Sequence, residues 1–166
     1  MSNLGEVVKV NAVRFVRNLP GPVDRVWSYL TECGKLTAWF GGDGAIEPRE
    51  GGGIWFMGGH IRGVVTQWKP PRLLAYTWNV FDPGDEESQH PESYLTLTLE
   101  PNGAQVALTL FHLPVPERFL PQTKMGWHTF LDLVEAVAHG KTVESLEPCM
   151  KANAERYGVD LNNLEE

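Results

Sequence analysis

The chain has 166 residues, of which 42% are hydrophobic and 21% charged, values that fit one globular domain and exclude wholesale disorder, a fibrous repeat and a membrane bundle. Its 14 basic and 21 acidic side chains give a net charge of −7, which disfavours nucleic acid as a partner because such binding needs basic groups to displace counterions from phosphates. Neither an apolar run of about 20 residues nor a signal-peptide core is present, so we expect a cytoplasmic protein with no membrane span.

The first part of the chain predicts one strand followed by two short helices. Val7–Leu19 is an apolar run with interspersed arginines, which is typical of a strand with one solvent-exposed face. Pro22 suits the first turn of a helix, and Thr31 suits the N-cap of a second helix that Gly41-Gly42 would end. Helically spaced apolar residues support both helices: Val26, Trp27, Leu30, Leu36, Trp39 and Phe40.

Between Gly44 and Leu113 the hydrophobic period changes to two, which predicts an antiparallel meander. Gly58-Gly59 permits a tight hairpin, and Pro70-Pro71 cannot continue a ladder of hydrogen bonds. The predicted strands are Gly44–Pro48, Gly53–Met57, His60–Lys69, Leu73–Val80, Tyr94–Glu100 and Gln105–Leu113.

After Pro121 the spacing of apolar residues is again helical and predicts a long amphipathic helix that Gly140 ends. We therefore predict a domain over residues 1–140. The polar remainder, residues 141–166, is expected to form one or two weakly packed helical turns and a frayed end. Together these elements predict an α+β domain in which a curved antiparallel sheet wraps around a long helix. A cavity between sheet and helix is the expected functional site.

Cofactor motifs are incomplete in this sequence. Gly140-Lys141-Thr142 resembles the end of a phosphate-binding loop, but Glu135 stands where that loop needs a glycine. The acidic stretch Asp82–Glu92 lacks the ligand spacing of a calcium loop and is interpreted as a solvated hairpin loop. The histidines lack metal-binding spacing, and Cys33 and Cys149 have no CxxC pattern. We predict no cofactor, no metal and two unpaired thiols.

His112 and the aromatic residues are the candidate binding groups. In the last strand His112 shares its parity with the apolar row and should sit at the cavity wall, either bonded to a neighbouring carbonyl or in contact with a ligand. No catalytic residue is predicted, because no nucleophile–histidine pair or carboxylate pair has suitable spacing. The predicted ligand-binding residues are Trp39, Phe40, Trp55, Met57, Tyr76, Trp78, His112, Trp127 and Phe130.

A series of motifs occurs in order between Val13 and Gly140: Pro22-x-x-Arg25-Val26-Trp27, Trp39-Phe40, Gly51-Gly52-Gly53-Ile54-Trp55-Phe56, Gly63-x-Val65, Pro70-Pro71-Arg72-Leu73-Leu74-Ala75-Tyr76-Thr77-Trp78, Leu95-Thr96-Leu97-Thr98-Leu99-Glu100-Pro101, Leu108-Thr109-Leu110, His112 and Gly126-Trp127. This order resembles the activator of heat-shock-protein-ninety ATPase, homologue-1-like family, within the START-like, polyketide-cyclase-like (SRPBCC) superfamily. The resemblance implies a helix-grip fold, a curved antiparallel sheet around a long C-terminal helix with a cavity for hydrophobic ligands.

Three functional hypotheses remain open at this stage. The first is binding of a small hydrophobic or aromatic molecule, lipid- or polyketide-like, in the cavity. The second is a co-chaperone-like activator of a chaperone ATPase that acts through the acidic surface and the Trp39-Phe40 corner. The third is a cyclase- or hydrolase-type enzyme in which His112 moves a proton. A monomer and a homodimer are both compatible with the sequence.

Overall fold

The computed structural model describes residues 3–40, 42–143 and 145–164. Within these ranges the strands are β1 Val13–Pro20, β2 Ala45–Ile46, β3 Gly53–Phe56, β4 Ile61–Lys69, β5 Leu73–Val80, β6 Ser93–Asn102 and β7 Gln105–Leu113. The α-helices are α1 Val23–Thr31, α2 Cys33–Phe40, α3 Leu120–Ala138 and α4 Glu147–Tyr157. Short 3-10 turns occupy Met57–Gly59 and Glu117–Phe119.

The strands form one antiparallel sheet in the order β1-β7-β6-β5-β4-β3-β2. Strands that follow one another along the chain are neighbours from β2 to β7, and β1 joins the far edge beside β7, with Val13 opposite His112 and Leu19 opposite Val106. The long helix α3 packs on one face of this sheet. The predicted α+β helix-grip architecture is therefore confirmed.

The alternation of side chains decides which face of the sheet meets the helix. In β7 the buried residues are Val106, Leu108, Leu110 and His112, whereas Phe111 between them is partly exposed on the outer face. Because successive side chains of a strand point to opposite faces, this row is the inner wall of the domain. The predicted row of β7 is confirmed.

The start of the first strand and the start of the second helix differ from expectation. β1 begins at Val13, and residues 7–12 are exposed, because Val13 already faces His112 near the end of its partner strand. The second helix begins at Cys33 because the hydroxyl of Thr31 donates to the carbonyl of Trp27, which makes Thr31 the last residue of α1 rather than a cap of α2. Gly41, its predicted end, lies outside the described residues.

Helix α4 is longer and better packed than the one or two turns we expected for the polar tail. Asn153 of α4 is 2% exposed, and its amide donates to the Thr129 hydroxyl (3.1 Å) and to the Asp132 carboxylate (3.3 Å) of α3. Arg17 of β1 donates to the same carboxylate at 2.8 Å. Polar contacts therefore dock α4 on α3, which explains why a hydrophobic pattern did not indicate it.

Three further features bear on function. Among the described helices, none combines the length and the apolar character that crossing a membrane requires. Over the same residues, no group of histidine, cysteine, aspartate and glutamate side chains is arranged to hold a metal ion. Cys33 is exposed, Cys149 is half-buried, and both are free thiols.

Replacing Gly63 with alanine tests the close approach of β4 to β5. A Cβ atom there would clash with the carbonyl oxygen of Thr77, so the two strands must separate. We expect Gly63→Ala to lower the free energy of unfolding by about 3 kcal/mol in urea denaturation, as for severe overpacking. The matched control is Gly34→Ala in α2, where the added Cβ meets nothing within 4 Å and should stabilise by up to about 1 kcal/mol. Equal stability of the two variants would contradict this account.

Candidate ligand cavity

A cavity of about 650 Å³ lies between one end of the sheet and the facing side of α3. The sheet contributes Trp78 from β5, Ser93 from β6 and His112 from β7 to its wall. Helix α3 contributes Gly126 and Trp127, together with Phe130 one turn further on. The volume falls in the range of small-molecule sites, about 300–1,000 Å³.

The inner wall is largely aromatic. The ring centroids of Trp78 and Trp127 lie 5.0 Å apart, and those of Trp127 and Phe130 lie 5.9 Å apart. All three side chains are less than one-tenth exposed. Such rings offer a large rigid apolar surface on which a flat or aliphatic molecule can pack.

His112 joins this wall to α3 by a pair of buried hydrogen bonds. The indole N–H of Trp127 donates to His112 Nδ1 at 2.9 Å, and His112 Nε2 lies 2.7 Å from the hydroxyl oxygen of Ser93. Because an indole N–H can only donate, Nδ1 carries no proton, and the neutral ring holds its proton on Nε2 and donates it to Ser93. The Ser93 hydroxyl is in turn 3.4 Å from the Trp78 carbonyl, which accepts from it.

These bonds keep His112 neutral. The side chain is 5% exposed, and burial lowers the pKa of His112 to about 4, because a charged imidazolium loses its hydration in the interior. A second proton would also have to enter at Nδ1, where Trp127 already donates. His112 is thus a hydrogen-bonded structural group at neutral pH.

The rim of the cavity is polar. His90 Nε2 lies 3.0 Å from a carboxylate oxygen of Asp82, and His60 Nδ1 lies 2.9 Å from the carbonyl oxygen of Phe81. The side chains of Gln122 and Thr123 come from the first turns of α3. The cavity therefore has an apolar inner wall and a hydrogen-bonding entrance.

The C-terminal segment Leu161–Leu164 also lies at this entrance. Gly158, with a φ of 67°, ends α4 in the left-handed conformation, and the chain then turns at Asp160, which accepts from the backbone N–H groups of Asn162 and Asn163. Leu161 and Leu164 are each about 40% exposed, at 38% and 43%. The segment covers part of the opening without filling the cavity.

The structure brings five of the nine predicted binding residues to the cavity, namely Met57, Trp78, His112, Trp127 and Phe130. Trp39, Phe40 and Tyr76 instead belong to the packed core beside it. Phe40 stacks on Phe56 with ring centroids 4.4 Å apart, and the indole of Trp39 donates to the carbonyl of Tyr29. Trp39 and Phe40 fill space because α2 packs against α3, and Tyr76 packs against Phe56 of β3 with ring centroids 5.6 Å apart.

Trp55 lies on the opposite side of the sheet from the cavity. Its neighbours Ile54 and Phe56 point inward and are buried, so alternation places Trp55 outward, where it is 42% exposed. Met57 reaches the cavity because its φ of 50° ends the strand in a turn. The predicted strand Gly53–Met57 would place Trp55 and Met57 on one face, but the strand ends at Phe56.

Several cavity residues were not identified from the sequence. Ser93 shares its parity with the buried leucines of β6, a signal that could have placed it on the inner wall. Asp82 and His90 were interpreted as parts of a solvated loop, but both line the rim. Gly158 is a local signal for the end of α4, as Gly140 is for α3. The approach of Leu161–Leu164 to the entrance depends on how α4 docks on α3, which no local pattern indicates.

Comparison with known proteins identifies the family. A model described as activator of Hsp90 ATPase homolog 1-like protein matches residues 20–139, so the chain belongs to this family. No curated protein sequence matches the chain significantly. The resemblance inferred from the motifs is confirmed.

Solved structures share the fold at low sequence identity. CalU16 from Micromonospora echinospora is 24% identical, with a TM-score of 0.70 over 89% of this chain and 85% of its own. An HSP90 activator from Plasmodium falciparum is 20% identical, with a TM-score of 0.67 over 77% of this chain and 96% of its own. The Aha1 dimer from Colwellia psychrerythraea is 18% identical, with a TM-score of 0.63 over 77% and 96%. These likenesses establish the helix-grip architecture.

The neutral state of His112 predicts a pH-dependent stability. Above about pH 6.5 folded and unfolded chains both hold a neutral imidazole. Between that value and the folded pKa of about 4, the unfolded state takes up a proton that the folded state does not, so the free energy of unfolding falls as pH falls, by about 3 kcal/mol over the window. Urea denaturation at a series of pH values measures this slope.

The variant His112→Gln should keep the fold and flatten that slope, because an amide can accept from Trp127 and donate to Ser93 without titrating. The control His139→Gln replaces an exposed histidine and should retain the wild-type slope. A wild-type slope in His112→Gln would show that another group causes the acid sensitivity.

Proposed function

We propose that the protein binds a small hydrophobic or aromatic molecule, lipid- or polyketide-like, in the cavity between the sheet and α3. The observation that supports this most strongly is the combination of a 650 Å³ cavity with an inner wall of Trp78, Trp127 and Phe130. An apolar ligand would gain free energy from surface removed from water, roughly 25 cal/mol per Å². The two free thiols fit our proposal of a reducing, cytoplasmic setting.

The hydrogen bonds of the inner wall favour one orientation of the ligand in the cavity. His112 uses both ring nitrogens, and the indole of Trp127 and the hydroxyl of Ser93 bond to it. Among the described residues, every buried side-chain nitrogen and oxygen has a partner. A polar group placed deep in the cavity would break these bonds or remain unpaired. The apolar part of the ligand therefore goes inward and its polar part faces the rim.

A catalytic role for His112 has weaker support. An acid or base must exchange a proton with the substrate, whereas Nδ1 of His112 accepts from Trp127 and Nε2 bonds to Ser93. The lowered pKa of this group, about 4, also makes it a poor proton donor near neutrality. Within the inner wall the described residues include no carboxylate that would orient the ring for catalysis.

Filling the cavity from α3 tests the binding proposal. Gly126 lines the cavity, and a Cβ atom built on it meets nothing within 4 Å. A leucine there would extend into the space that a ligand needs. We expect Gly126→Leu to weaken binding of naphthol or a neutral flavonoid at least tenfold, measured by quenching of tryptophan fluorescence, while the melting temperature stays unchanged or rises.

The matched control is Gly34→Leu, at a helical glycine with equally open space but no part in the cavity. This variant should bind as the wild type does. The proposal fails if a broad panel of neutral aromatic and aliphatic compounds causes neither quenching nor stabilisation of the wild-type protein, or if the two glycine variants bind equally well.

Activation of a chaperone ATPase is a second candidate function, favoured by the family match and by the likeness to an HSP90 activator. The Trp39-Phe40 corner, which we expected to take part in such a contact, is only 3% and 0% exposed. A chaperone would therefore have to meet the acidic surface instead, given the net charge of −7.

An ATPase assay decides this second candidate. Chaperone turnover should rise several-fold with added protein at low salt, and the gain should shrink at high salt because screening weakens contacts between exposed charges. The variant Gly126→Leu should activate as well as the wild type, since the surface is unchanged. Unchanged turnover at saturating protein would eliminate this function.

A further inference from the structure

We infer that the ligand of this cavity is a neutral or cationic molecule that carries a hydroxyl or amine donor at its outer end, and that carboxylates and phosphates are rejected. This inference rests on the proposed binding function and adds the chemical class of the ligand. The observation behind it is the set of charged and titratable groups around the entrance.

No lysine or arginine occurs among the cavity-lining residues that the structure describes. The titratable residues in the lining are His60, Asp82, His90 and His112, of which Asp82 alone is charged when the imidazoles are neutral. Arg118 is exposed and places its guanidinium 4.6 Å from the ring centroid of the lining residue Phe119, but it is not itself part of the lining. The fixed charge of the lining is therefore negative.

The two rim histidines present acceptors. A carbonyl oxygen only accepts, so the bond to Phe81 places the proton of neutral His60 on Nδ1 and leaves Nε2 as an acceptor. The carboxylate of Asp82 likewise places the proton of His90 on Nε2 and leaves Nδ1 as an acceptor. Among the described residues, no group donates to either remaining nitrogen. A ligand that brings its own O–H or N–H matches this arrangement.

An anionic ligand is disfavoured at this entrance. Its charge must leave water without a cationic partner, which is costly for a carboxylate, and it approaches the charge of Asp82. A neutral hydroxyl avoids both penalties and gains a hydrogen bond. The lining also contains the hydroxyl of Thr123 and the side-chain amides of Asn162 and Asn163, which can donate as well as accept. The entrance thus selects by charge and has an acceptor-rich side at His60, Asp82 and His90, whereas the inner wall selects by shape.

Three compounds with the same apolar body test the inference: naphthol, its methyl ether and naphthoate. Titrations followed by tryptophan fluorescence at about pH 8, where a histidine in water is neutral, give the dissociation constants. We expect naphthol to bind about three- to tenfold more tightly than the ether, which lacks the donor, and at least tenfold more tightly than naphthoate. An ether or a naphthoate that binds as tightly as naphthol would overturn the inference while leaving the binding function intact.

Charge reversal at the rim supplies the matched pair of variants. Asp82→Lys should raise the affinity for naphthoate about tenfold and leave the affinity for the ether unchanged. Glu86→Lys makes the same charge change at an exposed residue of the same loop that does not line the cavity, and it should alter naphthoate binding less than twofold at moderate salt. Equal effects of both variants would overturn the role of Asp82. If neither the three compounds nor neutral Nile red binds, the proposed function itself fails.

Discussion

The hydrogen bond from the Trp127 indole to His112 fixes how α3 sits on the sheet. It joins the middle of the helix to the end of β7, and the Ser93 hydroxyl extends the connection to β6. A buried indole or imidazole without a partner would cost about 1–3 kcal/mol, so helix and strands cannot slide past each other freely. Because the contact is polar and directional, it also holds the aromatic rings apart at the distances that leave a cavity beside them.

Helix α2 explains why the space between sheet and α3 is only partly open. Its last residue, Phe40, packs against Phe56 at 4.4 Å and against Phe130 at 4.9 Å between ring centroids. The buried Trp39 and Tyr76 complete this filled half. One half of the space between the sheet and α3 is therefore ordinary close-packed core, and the open cavity lies at the His112 end.

Periodicity and turn chemistry sufficed to predict the meander, the long helix and the burial of His112, because these features depend on neighbours along the chain. They could not separate Trp78, which lines the cavity, from Tyr76, two residues earlier on the same face, which is fully covered. Both have the inward parity of β5. The difference arises from tertiary packing, because the ring of Tyr76 packs against Phe56 of β3 (5.6 Å between centroids) whereas Trp78 meets Trp127 of α3 (5.0 Å) at the cavity. The outward position of Trp55 could have been predicted from the sequence, since strict alternation from Ile54 and Phe56 requires it.

The inner wall and the rim of the cavity differ in how their polar groups are hydrogen-bonded. On the inner wall each polar atom bonds to another protein atom, so this wall can distinguish ligands only by shape and apolar area. At the rim, Asp82 and the histidines keep acceptor capacity toward the opening, and they sit on loops joined to the sheet rather than within it. Under the proposed function, substitutions at the rim would therefore change which molecules bind without disturbing the bonds that hold α3 in place. New ligand preferences would then arise at the entrance while the core stays the same.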